Sequence, residues 1–78
     1  MNESRLRQCF ADALGIPPEH ANDQLAYNAV KQWDSVGHMA LVAALEAEFN
    51  VMLDTDEIIA MNSVAVARTL LQKHGVAF

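Results

Sequence analysis

The sequence predicts an all-α fold: a small four-helix bundle with a long loop between helices one and two and a short third helix. Three observations predict it. Apolar residues recur at helical spacing in separate segments. No segment shows the strict alternation of a half-buried strand. Gly, Pro, Asn and Asp punctuate the boundaries. The 78 residues, 53% of them apolar, suit a single domain with a modest core, one that buries about 60% of its unfolded surface.

The first helix is expected over Asn2–Leu14, with Leu6, Cys9, Phe10, Ala13 and Leu14 on one face. Gly15 stops it, and Pro17-Pro18 prevents its resumption. From Gly15 to Asp34 no period is sustained. A structureless stretch of this length is uncommon in a compact domain and is often functional. Leu25, Tyr27 and Val30 are expected to pin it to the helices.

The second helix is expected from Ser35 to about Asn50, with Val42, Leu45 and Phe49 as its stripe and Leu41 beside it. Gly37 in its first turn costs about 1 kcal/mol against Ala, so its benefit is the close approach of another group to the backbone. A short third helix spans about Thr55–Met61, capped by Asp54 or Thr55. The fourth begins at Asn62 or Ser63, ends before Gly75 and turns Val64, Ala67, Leu70 and Leu71 inward. Lys73 and His74 stand at its C-terminal end, where positive charge is favoured.

Charge and composition exclude several classes. The net charge is −5, and six acids (Asp34, Glu46, Glu48, Asp54, Asp56, Glu57) lie between Gln32 and Ala67 with no Lys or Arg among them. Such a surface repels nucleic acid and anionic membranes, and it attracts basic protein surfaces. One Cys permits no internal disulfide, which fits a reducing cytoplasm. No apolar run approaches the roughly 20 residues of a membrane span. A cytoplasmic, free-standing monomer is expected.

The chemistry centres on Ser35, in the run Gln32-Trp33-Asp34-Ser35-Val36-Gly37-His38-Met39. A helix N-terminus has unpaired N–H groups and a partial positive charge. Serine there is both a good N-cap and a place for an attached phosphate, while Asp34 reads as a cap, a first-turn charge or a recognition residue. A hydrolase built from Asp34, Ser35 and His38 is disfavoured, because adjacent Asp and Ser diverge on a helix and no nucleophile elbow is present. A calcium loop starting at Asp54 fails, since its sixth and twelfth positions are Ile59 and Ala65 rather than Gly and Glu. Cys9, on an apolar stripe, reads as a small buried hydrophobe. Trp33 reads as a core or loop anchor or as a recognition residue.

The Asp34-Ser35-Val36 opening, the Leu41-Val42-Ala43-Ala44-Leu45-Glu46-Ala47-Glu48-Phe49 run and the acidic third helix resemble acyl carrier proteins, over nearly the whole chain. The resemblance implies a four-helix carrier that performs no catalysis. Ser35 would carry a 4′-phosphopantetheine arm donated by coenzyme A, with Asp34 as the flanking acid. The arm's thiol would hold an acyl or aminoacyl group as a thioester. Implied partners are a phosphopantetheinyl transferase, an acyl- or aminoacyl-loading enzyme and a downstream synthase or transferase. An unmodified interaction module of the same fold is the alternative.

Housekeeping fatty acid carriers typically read Gly-Ala-Asp-Ser-Leu-Asp at this place. The Trp33-Asp34-Ser35-Val36-Gly37-His38 string instead resembles discrete carriers of polyketide, nonribosomal peptide or other specialised pathways. Val36, Met39, Glu46, Asp56 and Glu57 are expected to meet partners. Ile58, Ile59 and Met61 are expected either in the core or, with Met39, along a cleft between helices two and three.

Overall fold

The computed structural model describes residues 2–78. It contains α1 (Asn2–Leu14), α2 (Ser35–Phe49), α3 (Thr55–Ala60) and α4 (Val64–Lys73), with a 3₁₀ turn at Pro18–His20 in the long first loop. Among the described residues there are no strands, only an isolated antiparallel bridge between Ala26 and Ser63.

Each helix ends for a local reason. Gly15 takes a left-handed φ of 68° after α1, and Ile16 N–H closes back on the Ala11 carbonyl at 3.0 Å, a glycine C-terminal motif. At the end of α2, Asn50 is left-handed (φ 53°) and its N–H bonds the Glu46 carbonyl. Asp54 begins α3 with a reciprocal capping box: it accepts from Glu57 N–H, while Glu57 accepts from Asp54 N–H. Ser63 Oγ accepts from Val66 N–H at 3.1 Å and begins α4.

The core joins Leu6 and Phe10 of α1, Leu41 and Leu45 of α2, and Val64 and Leu71 of α4. Trp33 completes it from the loop, fully buried and edge-on to Phe10 at 5.4 Å. Burying an indole of this size contributes about 6 kcal/mol at most by area, which makes the residue before Asp34 the anchor of the site. Cys9 also sits in the core, and burial pushes its thiol up to about 11. Leu70 and Phe49 are only partly buried at the core margin.

The long loop is tied down more firmly than its lack of period suggests. Leu25 is buried, and Tyr27 N–H donates to the Asn62 carbonyl at 2.8 Å beside the Ala26–Ser63 bridge. Val30 is half-buried against the core. Arg68 of α4 ties the loop to α1, with Nη2 2.6 Å from Glu3 of α1 and 2.6 Å from Asp23 of the loop. The same guanidinium holds both carboxyls below their usual range.

Candidate functional site

The site is assembled at the N-terminus of α2. Asp34, not Ser35, is the N-cap: its Oδ1 accepts from Gly37 N–H at 2.9 Å and its carbonyl accepts from His38 N–H at 2.8 Å. Ser35 is the first helical residue. The expectation that the serine hydroxyl caps the helix is therefore corrected. The physical reason is reach: a cap must precede the first helical residue to fold back on the third. The serine hydroxyl is thereby left exposed, with a 3.2 Å hydrogen bond to the Tyr27 hydroxyl.

Gly37 has the close approach that its helix-poor chemistry implied. A Cβ there would fall deep inside the Gln32 carbonyl oxygen and lie 3.3 Å from Leu14 Cδ2. Only glycine lets the incoming loop cross the first turn of α2 this tightly.

His38 is occupied on both ring nitrogens. Trp33 Nε1–H donates to Nδ1 at 2.9 Å, and Nε2 lies 2.8 Å from the Ile58 carbonyl. Indole N–H is only a donor and a carbonyl only an acceptor. These bonds set the neutral Nε2–H tautomer. The ring therefore links loop, α2 and α3, and neither nitrogen is free to take a proton from Ser35.

An open groove of about 370 Å³ runs from Ser35 between α2 and α3. Ser35, His38 and Met39 line it from α2, Ile58 and Ile59 from α3, Met61 and Asn62 from the following turn, and Tyr27 from the loop. The three α3-side apolar residues divide their work. Met61 is fully buried, Ile58 is half-buried against the core, and Ile59 is 74% exposed. Tyr27, expected only to pin the loop, borders both the groove and the serine. Its role depends on a hydroxyl facing Ser35 across eight residues, which no local spacing signals.

The expected partner-facing residues separate into two groups. Val36 (80% exposed) and Met39 (57% exposed) stand beside Ser35, and Asp56 is exposed on α3. Glu57 does not belong with them, because it is buried. Its carboxylate receives Asp54 N–H, lies 2.9 Å from His74 Nε2 and pairs with Lys73 at 3.4 Å. The Asp54 amide and then His74 hold its carboxyl down at about 2. Glu46 accepts Leu53 N–H at 2.9 Å and fastens the α2–α3 connection. Burial of Glu57 corrects the expectation that it faces partners, whereas Glu46 stays half-exposed; each carboxylate satisfies a backbone amide of the loop that starts α3.

An exposed hydroxyl at a capped helix start, opening onto an apolar groove, suits a tethered group with an anionic link. Asp34 Oδ1 is already engaged by Gly37 N–H, and among the described residues the amides of Ser35 and Val36 have no protein partner. Such amides favour a phosphate at this end of the helix. A family model described as phosphopantetheine attachment site matches residues 4–71. The chain belongs to that family of acyl-carrier-type domains, whose cofactor is a covalently attached 4′-phosphopantetheine. Domains of this family are tethering modules that meet a phosphopantetheinyl transferase and other enzymes. Among the described residues, no helix is long and apolar enough to cross a membrane, and no cluster of three His, Cys, Asp or Glu could hold a metal.

Proposed function

We propose that this chain is an acyl or aminoacyl carrier whose phosphopantetheine is attached at Ser35. The observation that carries the reading is the exposed Ser35 hydroxyl at the first turn of α2, relieved of capping by Asp34. In the attachment step Ser35 Oγ forms a bond to the phosphorus that carries the pantetheine. The pyrophosphate bond of coenzyme A breaks, adenosine 3′,5′-bisphosphate leaves, and the hydroxyl proton passes to a base on the transferase. When bound, the arm supplies a thiol for thioester chemistry.

The chain's residues supply position rather than catalysis. Asp34 and Gly37 fix the helix start, Trp33 fixes the loop, and Val36, Met39 and Asp56 form the face that the transferase, loading enzyme and downstream synthase or transferase would meet. Met39, Ile58 and Ile59 offer an apolar wall along which the acyl end of the cargo could rest. A reducing cytoplasm accords with the single free, buried Cys9. A specialised rather than housekeeping pathway is supported by the Trp33–His38 pair, which differs from the usual fatty acid string.

The test is incubation with a broad-specificity phosphopantetheinyl transferase, coenzyme A and magnesium, followed by intact mass. One added arm on the wild type and none on Ser35→Ala is expected. Labelling that persists in Ser35→Ala would move the attachment elsewhere.

A further inference from the structure

We propose that the Tyr27 hydroxyl is a positioning group for Ser35, first orienting its Oγ and then holding the phosphoester formed on it. The second half rests on Ser35 being the attachment residue. Tyr27 Oη lies 3.2 Å from Ser35 Oγ, and among the described residues neither hydroxyl has another side-chain partner.

The placement is built rather than incidental. Tyr27 lies outside every helix, yet its N–H donates to the Asn62 carbonyl at 2.8 Å next to the Ala26–Ser63 bridge. Asn28 then turns the chain through a left-handed φ of 67°, and its N–H bonds the Trp33 carbonyl at 3.0 Å. The phenol ring stands edge-on to Trp33 at 6.1 Å and to His38 at 5.6 Å. Backbone and ring are therefore both held. Covering Trp33 needs only the ring, so packing gives no reason for the hydroxyl. Tyr27 remains 37% exposed, at the mouth of the groove.

The chemistry follows from donor order. A phenol is a stronger acid than an alcohol, so the tyrosine is the better donor of the pair. Donation to Oγ fixes the serine rotamer and leaves the serine's own proton pointing away, where a transferase base can collect it. That is a gain in orientation before reaction. Once esterified, Oγ has no proton to give. The phenol is then the donor of the pair, and an anionic phosphate is a better acceptor than an alcohol. The 3.2 Å separation is longer than the usual O–H···O bond. Such contacts commonly tighten when the reacting group arrives.

Tyr27→Phe tests this while keeping the ring. Ser35 Hα–Hβ couplings should report one rotamer in the unmodified wild type and an average in the variant. The transferase kcat should fall about two- to tenfold with KM for the carrier unchanged, the factor of one neutral hydrogen bond. The phosphorus resonance of the modified protein should differ between the two chains. Averaged couplings in the wild type overturn the proposal without recourse to the variant. So does a rise in KM at constant kcat, which marks contact with the transferase surface. Equal kcat and identical phosphorus resonances remove the role of Tyr27 while leaving Ser35 as the attachment site. A wild type that accepts no arm overturns both readings.

Discussion

The separation of cap from hydroxyl at the start of α2 makes a quantitative prediction. Asp34→Ala removes the 2.9 Å bond from Gly37 N–H. Loss of such a cap costs about 1 kcal/mol, within a range of about 0.5–2. In a domain of this size each kcal/mol lowers Tm by roughly 4–8 °C. Ser35→Ala removes an exposed hydroxyl with a single 3.2 Å bond to Tyr27, and exposed substitutions of this kind stay within about 0.5 kcal/mol. Asp34→Asn keeps an acceptor and loses the charge, so its cost is the dipole share alone, about 0.3–1 kcal/mol. Thermal and urea melts followed by far-UV circular dichroism should therefore rank the variants wild type, Ser35→Ala, Asp34→Asn, Asp34→Ala, with an unchanged urea slope. Attachment should show a different order, with Ser35→Ala unmodified and Asp34→Asn still accepting an arm. If Ser35→Ala loses as much stability as Asp34→Ala, the serine is the structural residue and the division of labour argued here is wrong.

Other perturbations probe the surrounding scaffold. Gly37→Ala gains about 1 kcal/mol of helix propensity but drives a Cβ into the Gln32 carbonyl. Overpacking of this kind costs about 1–3 kcal/mol, so chemical denaturation should find the variant less stable; an equal or higher midpoint would refute the close approach. The Cys9 thiol, buried and pushed up to about 11, should react with a disulfide reagent only as fast as the domain opens. The arm's thiol should react at once, so equal rates for both would contradict the burial. Glu57 is held at about 2 against its ordinary 4.5. A depressed carboxyl contributes stability above its unfolded value and loses it as pH falls through its folded one. Tm should therefore drop from pH 4.5 toward 2, and Glu57→Gln should flatten that drop; an equally steep variant would assign the acid transition to Glu3 and Asp23.

The parts of this fold that were legible in the sequence are those with local causes. Helix α1 ends at Leu14 because Gly15 and the two prolines act within a few residues. The α2 start is legible as a place, but which residue caps it is not. Both Asp34 and Ser35 are good cap chemistry, and only the backbone angles distinguish the extended residue from the helical one. Glu57 was readable from the Asp54-x-x-Glu57 spacing, which is a capping-box pattern. Its second partner, His74, is seventeen residues away and leaves no local trace. The loop's attachments have the same character: the Ala26–Ser63 bridge and the Tyr27–Asn62 bond join segments more than thirty residues apart, and no periodicity encodes them.

The Trp33-Asp34-Ser35-Val36-Gly37-His38 string has a physical logic of its own. Trp33 fills the core and presents its N–H to His38, and His38 passes the connection to the Ile58 carbonyl of α3. Gly37 makes room for Gln32 on the way in. Asp34 closes the helix. Four of the six residues are thus committed to the scaffold, leaving the Ser35 and Val36 side chains facing out. Several acids of this stretch also have partners within the domain: Glu46 with Leu53 N–H, Glu57 with Asp54 N–H and His74, and Glu48 with Arg5 at 2.7 Å on the surface. What remains beside the serine is mostly apolar, with Val36, Met39 and Ile59 all more than half exposed. On the proposed reading, recognition at this end therefore depends on shape and apolar contact around Ser35. Net charge then steers approach from a distance, a contribution that salt screens.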